Sequence, residues 1–228
     1  MAYPGLAPAT FAFLRGLRDN NDRDWFEAHR SDYETHWLKA GLDLIAALAP
    51  ICEVMSPRLL AVPRLNHSLR RIHRDTRFSA DKSPYQPWLH VILSTGPAFN
   101  KAPGLHLVLS PDGLGYGAGI YGLDPAALDR MRQRICDSQD RARLTRALAE
   151  AGTVGSHLDP PDLARVPKGL VAEPEWDHLL RRKNLIVRTP SDQPPPGWLF
   201  TPAAPDRLAG IVTAHLPVLE WLLADQRG

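Results

Sequence analysis

The sequence predicts an α+β fold: an antiparallel sheet of about four or five strands packed on one side by N-terminal and C-terminal helices. Three observations predict it. Apolar residues recur at helical spacing from Pro8 to Leu48. Short apolar runs separated by turn residues follow from Leu69 to Gly122. Helical spacing then returns at Asp124 and continues, with one short strand candidate, towards the end of the chain. The connections between the strand candidates are short, which favours an antiparallel meander, because parallel strands need long crossovers. A chain of 228 residues can bury a sizeable core as one large domain.

Pro8 opens the first helix, where its missing N–H costs nothing, and Phe11, Leu14 and Leu17 share one face. Asn20-Asn21 ends it, and Asn21 or Asp22 can cap the next helix. In that helix Asp24 and Glu27 lie near the positive end of the dipole. Its apolar series, including Trp25, Phe26, Tyr33, Trp37, Leu42, Ile45 and Leu48, predicts a break near Ser31, with Pro50 and Pro57 bounding the region. LRRIHRDTRF (69–78) reads as a strand, WLHVILS (88–94) as a second and GLHLVLS (104–110) as a third. Pro111-Asp112-Gly113 forms a turn and GLGYGAGIYG a glycine-rich fourth strand. Asp124 is an N-cap with Pro125 at the first helical position, followed by Leu128, Met131, Arg132 and Ile135. A further helix runs from about Asp140 to Ala151, and NLIVRT (184–189) is a short strand. After a proline-rich loop, the last helix, about Pro205 to Leu223, is expected to bend or break at Pro217.

Bulk charge narrows the function. With 27 basic and 25 acidic side chains, general attraction to nucleic acid or membrane is not indicated. The first residues lack a signal-peptide pattern, and no apolar stretch is expected to reach membrane-spanning length. Cys52 and Cys136 form no CxxC and are expected to be reduced. Together these predict a cytoplasmic protein.

Charge is concentrated locally instead, in RIHRDTRFSADKSPYQ (71–86). On a strand, Ile72, Arg74, Thr76 and Phe78 would share one face and Arg71, His73, Asp75 and Arg77 the other. Arg74 would then sit between apolar neighbours and need a partner, and Asp81 is the obvious one. Pro84 would set a turn that aims Lys82 and the Tyr85 hydroxyl over the strand. Arginine forks and a lysine point charge suit phosphate or carboxylate, so the candidate ligand-binding residues are Arg74, Asp75, Arg77, Asp81, Lys82 and Tyr85. On this reading a cleft binds a small anionic ligand, such as a phosphorylated one. The other reading is a self-satisfied ion-pair network in a non-catalytic adaptor or interaction protein. Neither names a reaction, a cofactor or a protein partner, and nucleic acid is disfavoured.

RDTRFSADKSPYQ resembles the signature of the DUF2461 family of uncharacterised proteins. FLRGLRDNNDRDWFEAHRSDYE resembles its N-terminal block and LARVPKGLVAEPEWDHLLRRKNLIV its C-terminal block, with GYGAGIYGLDPAALDRMRQRI between. Members more often carry a basic residue where this chain has Ala80 and Gln86, which lowers the local positive charge. The resemblance implies an α+β domain and no assigned activity.

The remaining motifs are weaker. Gly117, Gly119 and Gly122 match GxGxxG by letter, but the helix starts after the third glycine and the strands look antiparallel, so close packing is the expected role. Arg165-Val-Pro-Lys168-Gly169 is a second basic turn, read chiefly as solvated, with closure over the same anion as the alternative. The nine histidines show no HxH or HExxH, so no metal site is expected; His67 and His73 are the pair of most interest. No GxSxG, Cys–His arrangement or P-loop occurs. Ser79 and Ser83 lie near Lys82, but spacing alone makes no nucleophile. Trp25, Tyr33 and Trp37 form an aromatic stripe expected to pack in the core, with Trp25 as a possible pocket floor.

Overall fold

Residues 3–99, 101–171 and 173–224 are described in the computed structural model. α1 (Pro8–Asp19) has Pro8 in its first turn and buries Phe11, Phe13, Leu14 and Leu17. The choice between Asn21 and Asp22 resolves in favour of Asp22, whose carboxylate accepts the Trp25 N–H at 2.8 Å and starts α2 (Arg23–Ala28). The chain breaks at His29, close to the expected place. It continues as α3 (Arg30–Asp32), a π-helical stretch over Tyr33–Lys39, and α4 (Ala40–Glu53). The wider turn leaves Trp37 fully buried, stacked on Tyr33 and donating its indole N–H to Trp88 O at 3.2 Å. Pro50 lies inside α4 rather than bounding it.

Five strands form one sheet in the order β1-β2-β3-β5-β4, every pair antiparallel. They are β1 (Leu89–Ser94), β2 (Gly104–Leu109), β3 (Leu114–Ile120), β4 (His157–Leu158) and β5 (Leu185–Arg188). The register lines up Leu89 with Leu109, Val91 with Leu107 and Leu93 with Leu105. Across the next pairs, Leu105 meets Ala118, and Ala118 meets Val187. Period-two alternation therefore gives one continuous apolar face. α1, α4 and α8 (Ala204–Ala224) supply the rest of the core over β1–β3. α5 (Pro125–Cys136), α6 (Ser138–Gly152), α7 (Asp177–Leu180) and the end of α8 do so over β3 and β5. The helices thus cover one side of the sheet, and the fold is α+β. β4 has only two residues, too few to show alternation in sequence.

The expected strand over 69–78 is a correction. Only Leu69 and His73 make isolated bridges, to Val91 and Tyr85. The strand stops because the Asp75 carboxylate accepts the Arg77 N–H two residues on, and Ser79 N–H turns back to Thr76 O. Phe78, which alternation put beside Ile72, is 96% exposed, whereas Ile72 is 1% exposed.

Asp124 caps α5 by accepting the Ala127 N–H, and Asp137 caps α6, which starts slightly before the expected Asp140. Arg132 is buried because its guanidinium donates to Leu180 O and Arg182 O at the end of α7. α8 runs through Pro217 without ending. It also corrects the expectation about apolar stretches: Ala204–Ala224 is long and apolar enough, by length and composition, to cross a membrane. Its Leu208, Val212, Val218 and Leu219 are nevertheless buried in the core.

Gly117 is a packing glycine. A Cβ there would lie 2.4 Å from Val187 O and 2.5 Å from Arg188 Cβ. Gly117→Ala should lower unfolding free energy by about 2–3 kcal/mol, because the strand backbone itself must shift. Gly122, at φ +69°, has open space around a Cβ, so Gly122→Ala should cost only about 1 kcal/mol of left-handed strain. Urea unfolding of both variants checks this; equal losses would contradict the packing role.

Candidate functional site

The charged stretch is rooted before it is charged. The Asn21 carboxamide accepts the Tyr85 N–H and donates to Tyr85 O, both at 3.0 Å, so one side chain stands in for a neighbouring strand. The Tyr85 ring stacks on Phe26 with centroids 4.2 Å apart, and His73 meets Tyr85 edge-on. Arg74 N–H donates to Pro84 O at 2.9 Å and Gln86 N–H to Ile72 O at 2.7 Å, closing a narrow ladder. Ile72 and Tyr85 are buried beneath it. Residues 75–83 project from this root as a loop.

Within the loop the charges find each other. Arg74 pairs with Asp81, as the sequence predicts, and its Nη2 reaches Ser79 Oγ at 3.4 Å. Arg77 makes a two-pronged contact with Asp75, Nε to Oδ1 at 2.9 Å and Nη2 to Oδ2 at 2.7 Å. Lys82 donates to Thr76 O at 3.0 Å. Asp81 Oδ1 accepts both the Ser83 hydroxyl and the Ser83 N–H. Tyr85 is 4% exposed and sits in the root rather than over the loop.

The electrostatics follow from these contacts. Hydrogen bonds from the Arg77 guanidinium, then its backbone N–H, hold the Asp75 carboxyl down to about 2, with Arg71 adding to the effect. The Ser83 hydroxyl, then Arg74, holds Asp81 well below the usual carboxylate range. Carboxylates this weakly basic make poor general bases at neutral pH. Burial raises the Tyr85 hydroxyl above its ordinary value.

The other motifs lie elsewhere. Gly169, at φ +84°, makes the turn expected at 165–169, and Lys168 is exposed. Val166 and Leu170 flank it and pack on the core around α5 and α6, whereas Ile72 and Tyr85 belong to the other core cluster. No hydrogen bond or ion pair among the described residues joins that turn to the loop. Gly117 and Gly119 lie within β3, and Gly122 precedes the cap of α5, so the glycine motif forms no strand-to-helix phosphate turn. Trp25 stacks on His29 with centroids 4.0 Å apart and tilts against Phe13, a packing role. Two hollows, of about 630 and 420 Å³, lie beside α5 and α6 and are lined by no residue of 71–86.

Sequence reasoning missed three features. Asn21 has the local pattern of a cap, and nothing local signals its reach across 64 positions to Tyr85. Alternation places Phe78 on the face of Ile72, whereas the side chain is displayed to solvent. The histidines brought together are His90 and His106, 2.8 Å apart on the sheet face away from the helices. Burial, then each other's proximity and Arg70, lowers His90 to about 3; burial and Arg70 lower His106 to about 4, so both are neutral at pH 7. Their strand alternation was the available signal.

The carboxylate pKa values give a direct check. A depressed folded-state pKa means the loop contacts favour the folded form above the ordinary carboxylate range and fade as pH falls through the folded value. Carbonyl-carbon NMR should show Asp75 titrating with a midpoint near 2, and Arg77→Ala should return it towards the ordinary range. An unshifted midpoint in the wild type would mean the Arg77–Asp75 contact is absent in solution.

Neither the curated proteins nor the solved structures contain a match to this chain. Residues 9–221 match the family model described as "Conserved hypothetical protein (DUF2461)", and that span takes in the Asn21 root, the charged loop and the sheet, so the chain belongs to the DUF2461 family.

Proposed function

We propose that the protein is a non-catalytic interaction protein whose charged signature braces a loop that docks on an acidic face of a protein partner. One observation carries this reading. The Arg74 and Arg77 side chains are engaged by Asp81 and Asp75, while Phe78 beside them is 96% exposed. Across 71–86 four cations, Arg71, Arg74, Arg77 and Lys82, stand against two carboxylates, so the signature keeps an excess of positive charge, which Arg71 and Arg74 place at the root of the loop. A loop that displays an aromatic side chain beside arginines suits an acidic surface with an apolar dimple, since aromatic and arginine side chains commonly anchor interfaces. The free thiols of Cys52 and Cys136 support a reducing, cytoplasmic setting for this role.

A second reading keeps the loop as a site for a small anionic ligand, with Arg74, Arg77 and Lys82 as its cations. It is favoured by Arg71 and Lys82, which have no carboxylate hydrogen-bonded to them among the described residues. It requires the Arg74–Asp81 or Arg77–Asp75 pair to open.

A photo-crosslinking residue at position 78 tests the first reading in living cells. It should yield a discrete protein adduct that Lys82→Glu abolishes, and the same probe at Val54, 83% exposed, should not. Phe78→Ser should change unfolding free energy by no more than about 0.5 kcal/mol, since the side chain is in solvent. Identical adducts from positions 78 and 54 would defeat the docking reading. Calorimetric binding of a phosphorylated metabolite, lost in Arg74→Ala, would establish the second reading in its place.

A further inference from the structure

Among the described residues three arginines are buried, Arg132, Arg141 and Arg182, and two of them have the acceptors they need. Arg132 donates to Leu180 O and Arg182 O. Arg141 donates to Ile135 O, Cys136 O and the Glu173 carboxylate. Arg182 is the most buried of the three, at 4% exposed. Its guanidinium makes no hydrogen bond or ion pair among the described residues. Nε is sealed from solvent, and the two Nη atoms are the end that solvent reaches. Arg181 beside it is nearly as bare: its Nε is sealed without a partner, and its side chain makes one long bond, Nη1 to Ala164 O at 3.4 Å. Buried polar groups are expensive to leave unpaired, so a guanidinium this enclosed calls for an acceptor from protein, water or an ion.

The protein's own acids do not supply it. The two arginines sit where the end of α7 runs towards β5, and the chain after β4 passes alongside, with Leu163 N–H donating to Arg181 O. Asp162 and Asp159 are the acids whose charge reaches Arg182, and neither bonds to it. Asp162 Oδ2 accepts the Lys183 N–H at 2.7 Å, and Asp159 Oδ1 accepts from Arg188 Nε at 2.9 Å. Asp177, one turn before Arg181 on α7, forms no ion pair with it among the described residues. Burial lowers the Arg182 pKa below its ordinary value; the pull of Asp162 and Asp159 does not restore it, and the like charge of Arg181 pushes it down further. With Asp159 paired to Arg188, Asp162 alone stands against Arg181 and Arg182, so positive charge is left over before the exposed Lys183 is counted.

We infer that Arg181 and Arg182 together bind a tetrahedral oxyanion, either inorganic phosphate or the phosphate group of a small monoester. Phosphate brings several acceptor oxygens to the guanidinium forks, and its charge offsets the repulsion between the two arginines. A bridging water would supply an acceptor and leave that repulsion in place. Bound there, the anion also fastens the end of α7 to the chain after β4, which Arg181 already touches through Ala164 O. The site shares no residue with the charged loop.

Inorganic phosphate is the probe, added to the full chain at an ionic strength held constant with chloride. Calorimetry should show saturable binding, and the Arg182 Nε–H signal in NMR should shift along the same curve. Sulfate, of the same shape, should compete. Methyl phosphate separates the two sources: affinity at or above that of free phosphate assigns the site to monoesters, and weaker binding assigns it to the free ion. Arg181→Gln should weaken phosphate binding at least about tenfold, and Arg182→Lys, which keeps the charge and loses the fork, should weaken it as well. Thermal unfolding shows whether each variant is folded; Arg181 is only half-buried, so its variant decides the matter if Arg182→Lys does not fold. No saturable phosphate binding by the wild type would overturn the inference, and so would unchanged affinity in folded Arg181→Gln. Loss of phosphate binding in Arg74→Ala would overturn it too, because the anion would then sit on the charged loop.

Discussion

The charged signature depends on the Asn21–Tyr85 clamp. Ion pairs on an exposed loop contribute little on their own, because water screens them and long side chains lose freedom in making them. A loop as open as 75–83 needs its ends held by something else. Asn21 satisfies both backbone groups of Tyr85, and Phe26 covers the ring. With the ends fixed, Arg74 and Asp81 are close before they pair, and less freedom is lost when they do. The short connection between α1 and α2 thereby sets the shape of a loop far along the chain.

The same clamp joins two blocks that lie far apart in the chain. The N-terminal block holds Asn21 and Phe26, and the signature holds Ile72 and Tyr85. Across them Phe26 stacks on Tyr85 and Asn21 bonds its backbone. The third block works at the other end of the sheet: Leu179, Leu180, Leu185 and Val187 pack with α5 and α6. Arg132 ties the end of α7 to α5 through Leu180 O and Arg182 O. α8 contributes side chains to both core clusters, with Leu208 and Val212 in one and Val218 and Trp221 in the other.

Much of the fold was legible because periodicity reports which side is buried. Leu89, Val91 and Leu93 alternate in a strand, and Pro8, Asp22 and Asp124 announce helix starts through the hydrogen bonds they can or cannot make. Reading 69–78 as a strand failed because alternation of charged and apolar residues cannot reveal that Asp75 will accept a backbone N–H and turn the chain. β4 escaped because pairing with β5, not its own pattern, makes it a strand. At the candidate site, the Arg74–Asp81 pair was legible because only one carboxylate lay within reach after the turn. The exposure of Phe78 was not, since nothing in the sequence separates a displayed phenylalanine from a buried one. The hollow beside α5 was invisible too: its wall joins residues 120, 131 and 221, which only the packed helices bring together.

Amide hydrogen exchange, resolved residue by residue in Asn21→Ala, tests the clamp most directly. The account predicts that Arg74, Tyr85 and Gln86 lose protection while the β1–β2 ladder keeps its own. Protection at those three amides that survives Asn21→Ala but vanishes in Asp81→Asn would contradict it, because the ion pairs would then be holding the loop and the clamp would be incidental.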